Sequence, residues 1–294
     1  MMPQSSPQKQ PLGQPGGMSV WVSQITLAGF VAMAVLLACG SFSGASAQLK
    51  ITGDSQPVTV EADDGIEWIS EKKMYIARGN AKATRGTTSV AGQTLTALYR
   101  QTKSEETEIF RLEAQGQVVI ETPDRRVFGD RAVYDLDQAV AVVLGKDLRM
   151  ITSNETITAS ESLEYWEKHQ IAVARGDAVA TQGARMIRAD TLTAFFAPGR
   201  DKKLEAVRMN AIGNVVVTTP QEVARGNEGV YNVRTGIATL SGNVKITRGE
   251  TQLNGATAEI NFNTGISRLL SAGKSTSTGR VRGLFVPKSK NQKK

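Results

Sequence analysis

The side chains able to do chemistry are few and poorly grouped. His169 is the single histidine of the 294 residues and Cys39 the single cysteine. A general base or an activated nucleophile needs a titratable group beside a partner that tunes it, and His169 sits in the polar run Glu167-Lys168-His169-Gln170, which reads as a surface turn. One histidine and one cysteine cannot furnish the usual ligands of zinc, so neither a metal nor a cofactor is expected. Gly273-Lys274-Ser275 has the end of a phosphate-binding loop, but Arg268 stands where its leading glycine belongs. Asp63, Asp64, Asp130 and Asp190 lie beside turn signals, where carboxylates commonly cap backbone amides. What remains is apolar surface. Trp68, Tyr99, Tyr134, Trp166, Phe195, Phe196, Tyr231 and Phe262 recur on strand-like runs, as core packing or as the lining of an apolar cavity. These residue types suit binding better than turnover.

The elements that hold them come from a repeat. Ala77-Arg78-Gly79-Asn80-Ala81 returns as Ala174-Arg175-Gly176-Asp177-Ala178, an offset of 97, and the same offset pairs Thr94-Leu95-Thr96-Ala97 with Thr191-Leu192-Thr193-Ala194 and Val133-Tyr134 with Val230-Tyr231. A block was duplicated. Inside it, Gly79, Gly116, Gly145, Gly176, Gly213 and Gly242 mark six units of roughly thirty residues. Each unit adds a Thr-led turn, as at Thr84-Arg85-Gly86 or Thr219-Pro220-Gln221, and a third small residue, as at Gly92 or Gly226. Between these breaks, runs such as Val244-Lys245-Ile246-Thr247 alternate apolar with polar, the period of a strand with one buried face. Gly-Asn and Gly-Asp supply the positive φ of tight hairpin turns, so each unit is expected to form about four short strands. Hairpins are marginal alone and must stack. The expected fold is all-β, an elongated open jelly roll of repeated antiparallel hairpins in two stacked sheets, with a parallel β-helix as the competing geometry. The polar run Gln101 to Glu108 reads as a protruding loop.

Composition agrees with a globular β-protein, with 40% hydrophobic, 21% charged and only 5% aromatic residues. The net charge of +7 is no nucleic-acid signature, because Lys274, Arg280, Arg282, Lys288, Lys290, Lys293 and Lys294 carry it. Residues 274–294 form a basic tail, either a solvated end or a contact for anionic lipid or phosphate. Residues 1–47 read as a signal peptide, from the apolar stretch Ile25 to Cys39 and the small-residue site Ala45-Ser46-Ala47; a retained anchor or lipidation at Cys39 is the alternative. The folded region is expected over 48–273, with its duplicated halves at about 57–153 and 154–273.

The ordered series Gln56-Pro57-Val58-Thr59-Val60-Glu61-Ala62-Asp63, Ala77-Arg78-Gly79-Asn80-Ala81, Ala211-Ile212-Gly213-Asn214-Val215-Val216-Val217 and Leu240-Ser241-Gly242-Asn243-Val244 resembles the LptA/OstA-like family of lipopolysaccharide-transport proteins. The resemblance implies a twisted jelly roll that shields lipid A chains in the periplasm and joins neighbouring inner- and outer-membrane transport components edge to edge. An LptC-like inner-membrane-anchored component is the related reading, and a carbohydrate-active β-helix enzyme the reading from another class. The lipid-facing interior is expected at Ile66, Trp68, Ile76, Leu95, Val118, Ile120, Leu192, Phe195, Val215, Val217, Leu240, Val244, Ile246, Ile260 and Phe262. Partner edges are expected around Val58 and Val60 and around Val281 and Phe285, with head-to-tail self-association a further possibility.

Overall fold

The computed structural model describes residues 58–102, 107–199, 204–271 and 281–284. The expected signal peptide, most of the basic tail with Phe285, and Lys103 to Glu106 of the expected loop lie outside them. The N-terminal end holds two short strands, β1 (Thr59–Glu61) and β2 (Gly65–Ile69). Four long strands follow: β3 (Met74–Arg85), β4 (Thr88–Gln101), β5 (Thr107–Thr122) and β6 (Arg125–Asp135). Then come β7 (Val140–Leu144), β8 (Leu148–Thr152), β9 (Thr156–Ala159) and β10 (Ser162–Trp166). A second long set runs through β11 (Ile171–Gln182), β12 (Arg185–Pro198), β13 (Leu204–Thr218), β14 (Val223–Asn232), β15 (Ile237–Arg248) and β16 (Thr251–Asn261), and β17 (Ile266–Leu270) and β18 (Arg282–Leu284) end it.

Every pairing among these strands is antiparallel, which removes the β-helix. The pairings separate into two ladders. One wing starts at β2 and passes through the front part of β3, then β7 and β10, to end at β17. The other starts at β1 and passes through the far part of β3, then β8 and β9, to end at β18. The long strands belong to both wings because each is bent in its middle. The architecture is an all-β open jelly roll, two sheets sharing bent strands.

The bend corrects one expectation. Gly79, Gly116, Gly176, Gly213 and Gly242 lie inside strands, at the register shifts between Arg78 and Ala81, Gln115 and Val118, Arg175 and Ala178, Ile212 and Val215, and Ser241 and Val244. They are corners, so the units they mark are two long bent strands rather than four short ones; the unit at Gly145 keeps the expected four short strands, β7 to β10. Sequence could not separate the cases, since a bulge and a hairpin turn both demand positive φ. Gly79 at φ +78 is followed by Asn80 at +43, and Gly213 at +79 by Asn214 at +49. The Thr-led breaks are the true hairpin turns. At Thr152 and Thr219 the hydroxyl accepts backbone N–H bonds from the second and third residues that follow.

The core lies between the wings. Val118, Val215 and Val244, each two residues past a corner glycine, are 1% exposed, and one cluster joins Ala114, Ala141 and Ala211 of the first wing to Ile120, Val127 and Ile246 of the second. The carboxylates singled out in the sequence serve the corners. Asp63 accepts from the Asn80 amide at 2.8 Å, Asp190 from Asn214 at 3.0 Å, and Asp130 from the Lys146 backbone N–H at 3.1 Å.

A Cβ at Gly79 would stand 2.8 Å from the Asp64 backbone nitrogen at a left-handed φ. Gly79→Ala is expected to lower stability by about 1–3 kcal/mol in urea unfolding. Gly249→Asn, in open space at φ +56, is expected to stay within about 0.5 kcal/mol.

Candidate functional site

The two wings are paired to each other only through their corners; among the described residues no backbone hydrogen bond links the hairpin tips of one wing to those of the other. The tips therefore form two lips of a mouth that runs the length of the roll. Directly opposed residues in an antiparallel ladder share a face, so the register says which side chains line the interior between them.

Most of the expected interior residues fall there. Val118, Ile120, Leu192, Val215, Leu240, Val244, Ile246 and Ile260 are buried in the main cluster, and Leu95, Val217 and Phe262 are half-buried against it. Four positions differ. Phe195 is on the outer face, because Leu192, Ala194 and Phe196 hold the inner one and strand parity then turns position 195 away; the Arg208 guanidinium lies 4.0 Å from the centre of its ring. Ile76 is buried but opposes Glu67 and Thr96, on the reverse side from Ala77. Ile66 and Trp68 oppose Ala77 and Tyr75 and so face the interior, yet they are 55% and 66% exposed, because β2 is the last strand of its wing and no further rung covers them. Trp68 is held from one side only. Its indole N–H donates to the Tyr99 hydroxyl at 2.8 Å and its ring stacks 6.1 Å from Tyr75.

The lips differ in chemistry. On the first wing the interior face ends in aromatic residues, among them Tyr99, Tyr134, Tyr165, Phe196, Tyr231 and Phe262. Burial raises the phenol pKa of Tyr165 and Tyr231, and burial followed by the Glu167 carboxylate raises that of Tyr134, which donates to Glu167 at 3.0 Å. All three stay neutral at physiological pH. On the second wing the last interior position of the strands is polar. Arg85, Thr88, Thr122, Arg125, Glu155 and Glu222 stand there, each under 10% exposed, and Gln182, Arg185, Arg248 and Thr251 continue the row. Composition missed this row. Its signal was the alternation itself, since Ala81, Ala83 and Arg85 share a face and so do Val244, Ile246 and Arg248.

Side chains meet across the mouth near the C-terminal end. Ser267 on the interior face of β17 donates to Glu222 at 2.9 Å, Arg248 donates to the same carboxylate at 2.7 Å, and the Arg185 guanidinium lies 5.8 Å from the centre of the Phe262 ring. At mid-length, burial pushes the Glu155 carboxyl up to about 7; it has a 3.3 Å bond from the Gln182 amide. His169 is exposed on a single 3₁₀ turn, Glu167–His169, against the edge of Trp166. The outer face carries ion pairs such as Arg131 and Arg111 with Glu113, of small worth to stability but enough to keep that face wet.

A family model described as "LptA/(LptD N-terminal domain) LPS transport protein" matches residues 59–161 and again 156–266. The chain belongs to this family. The two matched stretches begin 97 residues apart, the offset of the internal repeat. No curated protein matches. Among solved structures, one similar chain is described as LptH, the LptA-homologous periplasmic component of the lipopolysaccharide transport device of Pseudomonas aeruginosa; identity is 14%, coverage 79% of this chain and 96% of that one, and the TM-score 0.20. Among the described residues no helix is long and apolar enough to cross a membrane.

The raised pKa of Glu155 carries a sign. Its folded-state value lies above the ordinary 4.5, so the folded protein holds the extra proton and loses stability as pH rises from about 4.5 through 7. Glu155→Gln is expected to match the parent near pH 4 and exceed it in melting temperature at pH 8, as read by thermal scans at both pH values.

Proposed function

We propose that the chain carries lipopolysaccharide, without turning it over, by taking lipid A acyl chains into the seam between the wings. The observation that carries this reading is the mouth, a continuous apolar interior whose two lips are joined by side-chain contacts alone. Separating the lips breaks no sheet pairing, and each acyl methylene removed from water contributes about 0.8 kcal/mol. Equivalent rungs repeat along the roll, so a chain sliding from one to the next changes its burial little. Membership of a lipopolysaccharide-transport family supports this ligand class. In this reading residues 1–47 are a signal peptide and the work is done in the periplasm, which the same membership supports.

The ends supply the partners in this reading. β1 and β2 at one end and β17 and β18 at the other each pair on one side only among the described strands, and free edges accept a further strand. Val58 is buried and Val60, in β1, is half-buried, whereas Ile66 and Trp68 of β2 and Val281 beside β18 are exposed, so both ends offer apolar side chains as well as backbone. Inner- and outer-membrane transport components, or another copy head to tail, would extend the seam.

Two experiments test this. A photo-crosslinking residue at Val217, on the interior face, is expected to capture lipopolysaccharide, and one at Phe195, on the outer face, is not; capture at neither, or at both equally, contradicts carriage in the seam. A crosslinker at Val60 is expected to capture a different neighbour from one at Val281. If Val60 captures only Val60 of a second copy, the ends pair like with like and the bridge is excluded.

A further inference from the structure

The lips are chemically unequal, and carriage in the seam, on which this inference rests, does not by itself require that. The interior face of one wing ends in aromatic side chains. The other ends its interior face in guanidinium, carboxylate, amide and hydroxyl groups from β3 to β16. Among the described strands, the guanidinium groups that share the interior face stand on the second wing.

We propose that the polar lip is a headgroup subsite that orients the lipid, its anionic phosphate class of group held by Arg185 with Arg248 and Arg125 along the same row, and its chains passing under Tyr231 and Phe262. Arg185 is the best placed of the three. It is exposed, it has no carboxylate partner among the described residues, and its guanidinium lies 5.8 Å from the centre of the Phe262 ring on the facing lip. The Arg248 side chain is 56% exposed beside Glu222, and Arg125, 8% exposed, is paired with Asp124 of its own turn. A guanidinium presents a planar fork of donors that fits phosphate oxygens, and the apolar ground beneath it strengthens such a bond by keeping water away. A phosphate there would take the place of the Arg185 contact with Phe262, so that headgroup capture and opening of the mouth are one event. The aromatic lip then receives the chains.

The probes are bis-phosphorylated lipid A and the same lipid A stripped of its phosphates, titrated against the full chain freed of its leader. Arg185→Gln is expected to weaken the phosphorylated lipid about tenfold, the worth of one charge-assisted hydrogen bond, and to leave the stripped lipid unchanged, while Arg185→Lys restores most of the loss. Millimolar inorganic phosphate is expected not to displace either lipid. Equal losses for both lipids, or none for either, overturn the headgroup subsite and leave carriage standing; displacement by inorganic phosphate assigns the row to the free ion and overturns it too. Binding of neither lipid by the unsubstituted protein overturns carriage itself, and the subsite with it.

Discussion

The corner is the constraint on which the rest depends. At Gly79, Gly116, Gly176, Gly213 and Gly242 two successive residues adopt positive φ, and the strand turns from one wing into the other without ending. A non-glycine residue at the first of these positions meets both a strained backbone and, at Gly79, the backbone of Asp64. Glycine removes that cost. The residue that follows is Asn, Asp or Gln in all five, and at Asn80 and Asn214 its amide is tied to a carboxylate of a neighbouring rung. Because the corners stack in register, the wings share one vertex and one open side.

From that geometry the distribution of chemistry follows. The first rung past the vertex is the driest in the molecule, with Ala81, Ala178 and Ala258 at 0% exposure and Val118, Val215 and Val244 at 1%. Farther out the interior widens. Aromatic side chains fill it on one wing, and on the other the strand ends in groups that must find polar partners: Thr122 with Asp124, Glu155 with Gln182, Glu222 with Arg248 and Ser267. A buried polar group without such a partner costs more than it contributes, so the lip is satisfied while closed and has to exchange those bonds for others when it opens. A ligand with a polar head can offer that exchange, whereas a purely apolar one cannot.

Much of the fold was legible in the sequence because its determinants are local and repeated. Period-two alternation named Val215 and Val217 for the interior and left Val216 out, and the register does the same. Legibility ended where one residue pattern serves two geometries. Gly-Asn denotes a hairpin turn or a bulge, and only pairing with neighbours distinguishes them, so the corners were read as turns. It ended also where parity had to be chosen without a reference. Phe195 and Phe196 are adjacent and equally apolar, and Ala194 and Leu192 settle the choice for Phe196 only once their burial is known. Ile66 and Trp68 share the face of Ala77 and Tyr75, and their exposure follows from their place on the outermost strand, a property of the stack rather than of the segment. The polar lip went unread because attention to apolar positions passes over an arginine that keeps the apolar phase.

The account stands on the lips parting while the wings stay whole. Spin labels at Ala184, on the tip between β11 and β12, and at Arg234, on the tip between β14 and β15, sit on opposite lips and are both exposed. Pulsed electron paramagnetic resonance between them, with and without lipopolysaccharide, reads the mouth directly. The account predicts a longer distance with lipid bound and an unchanged distance between two labels on one wing; lipid bound with the lip-to-lip distance unchanged would contradict it.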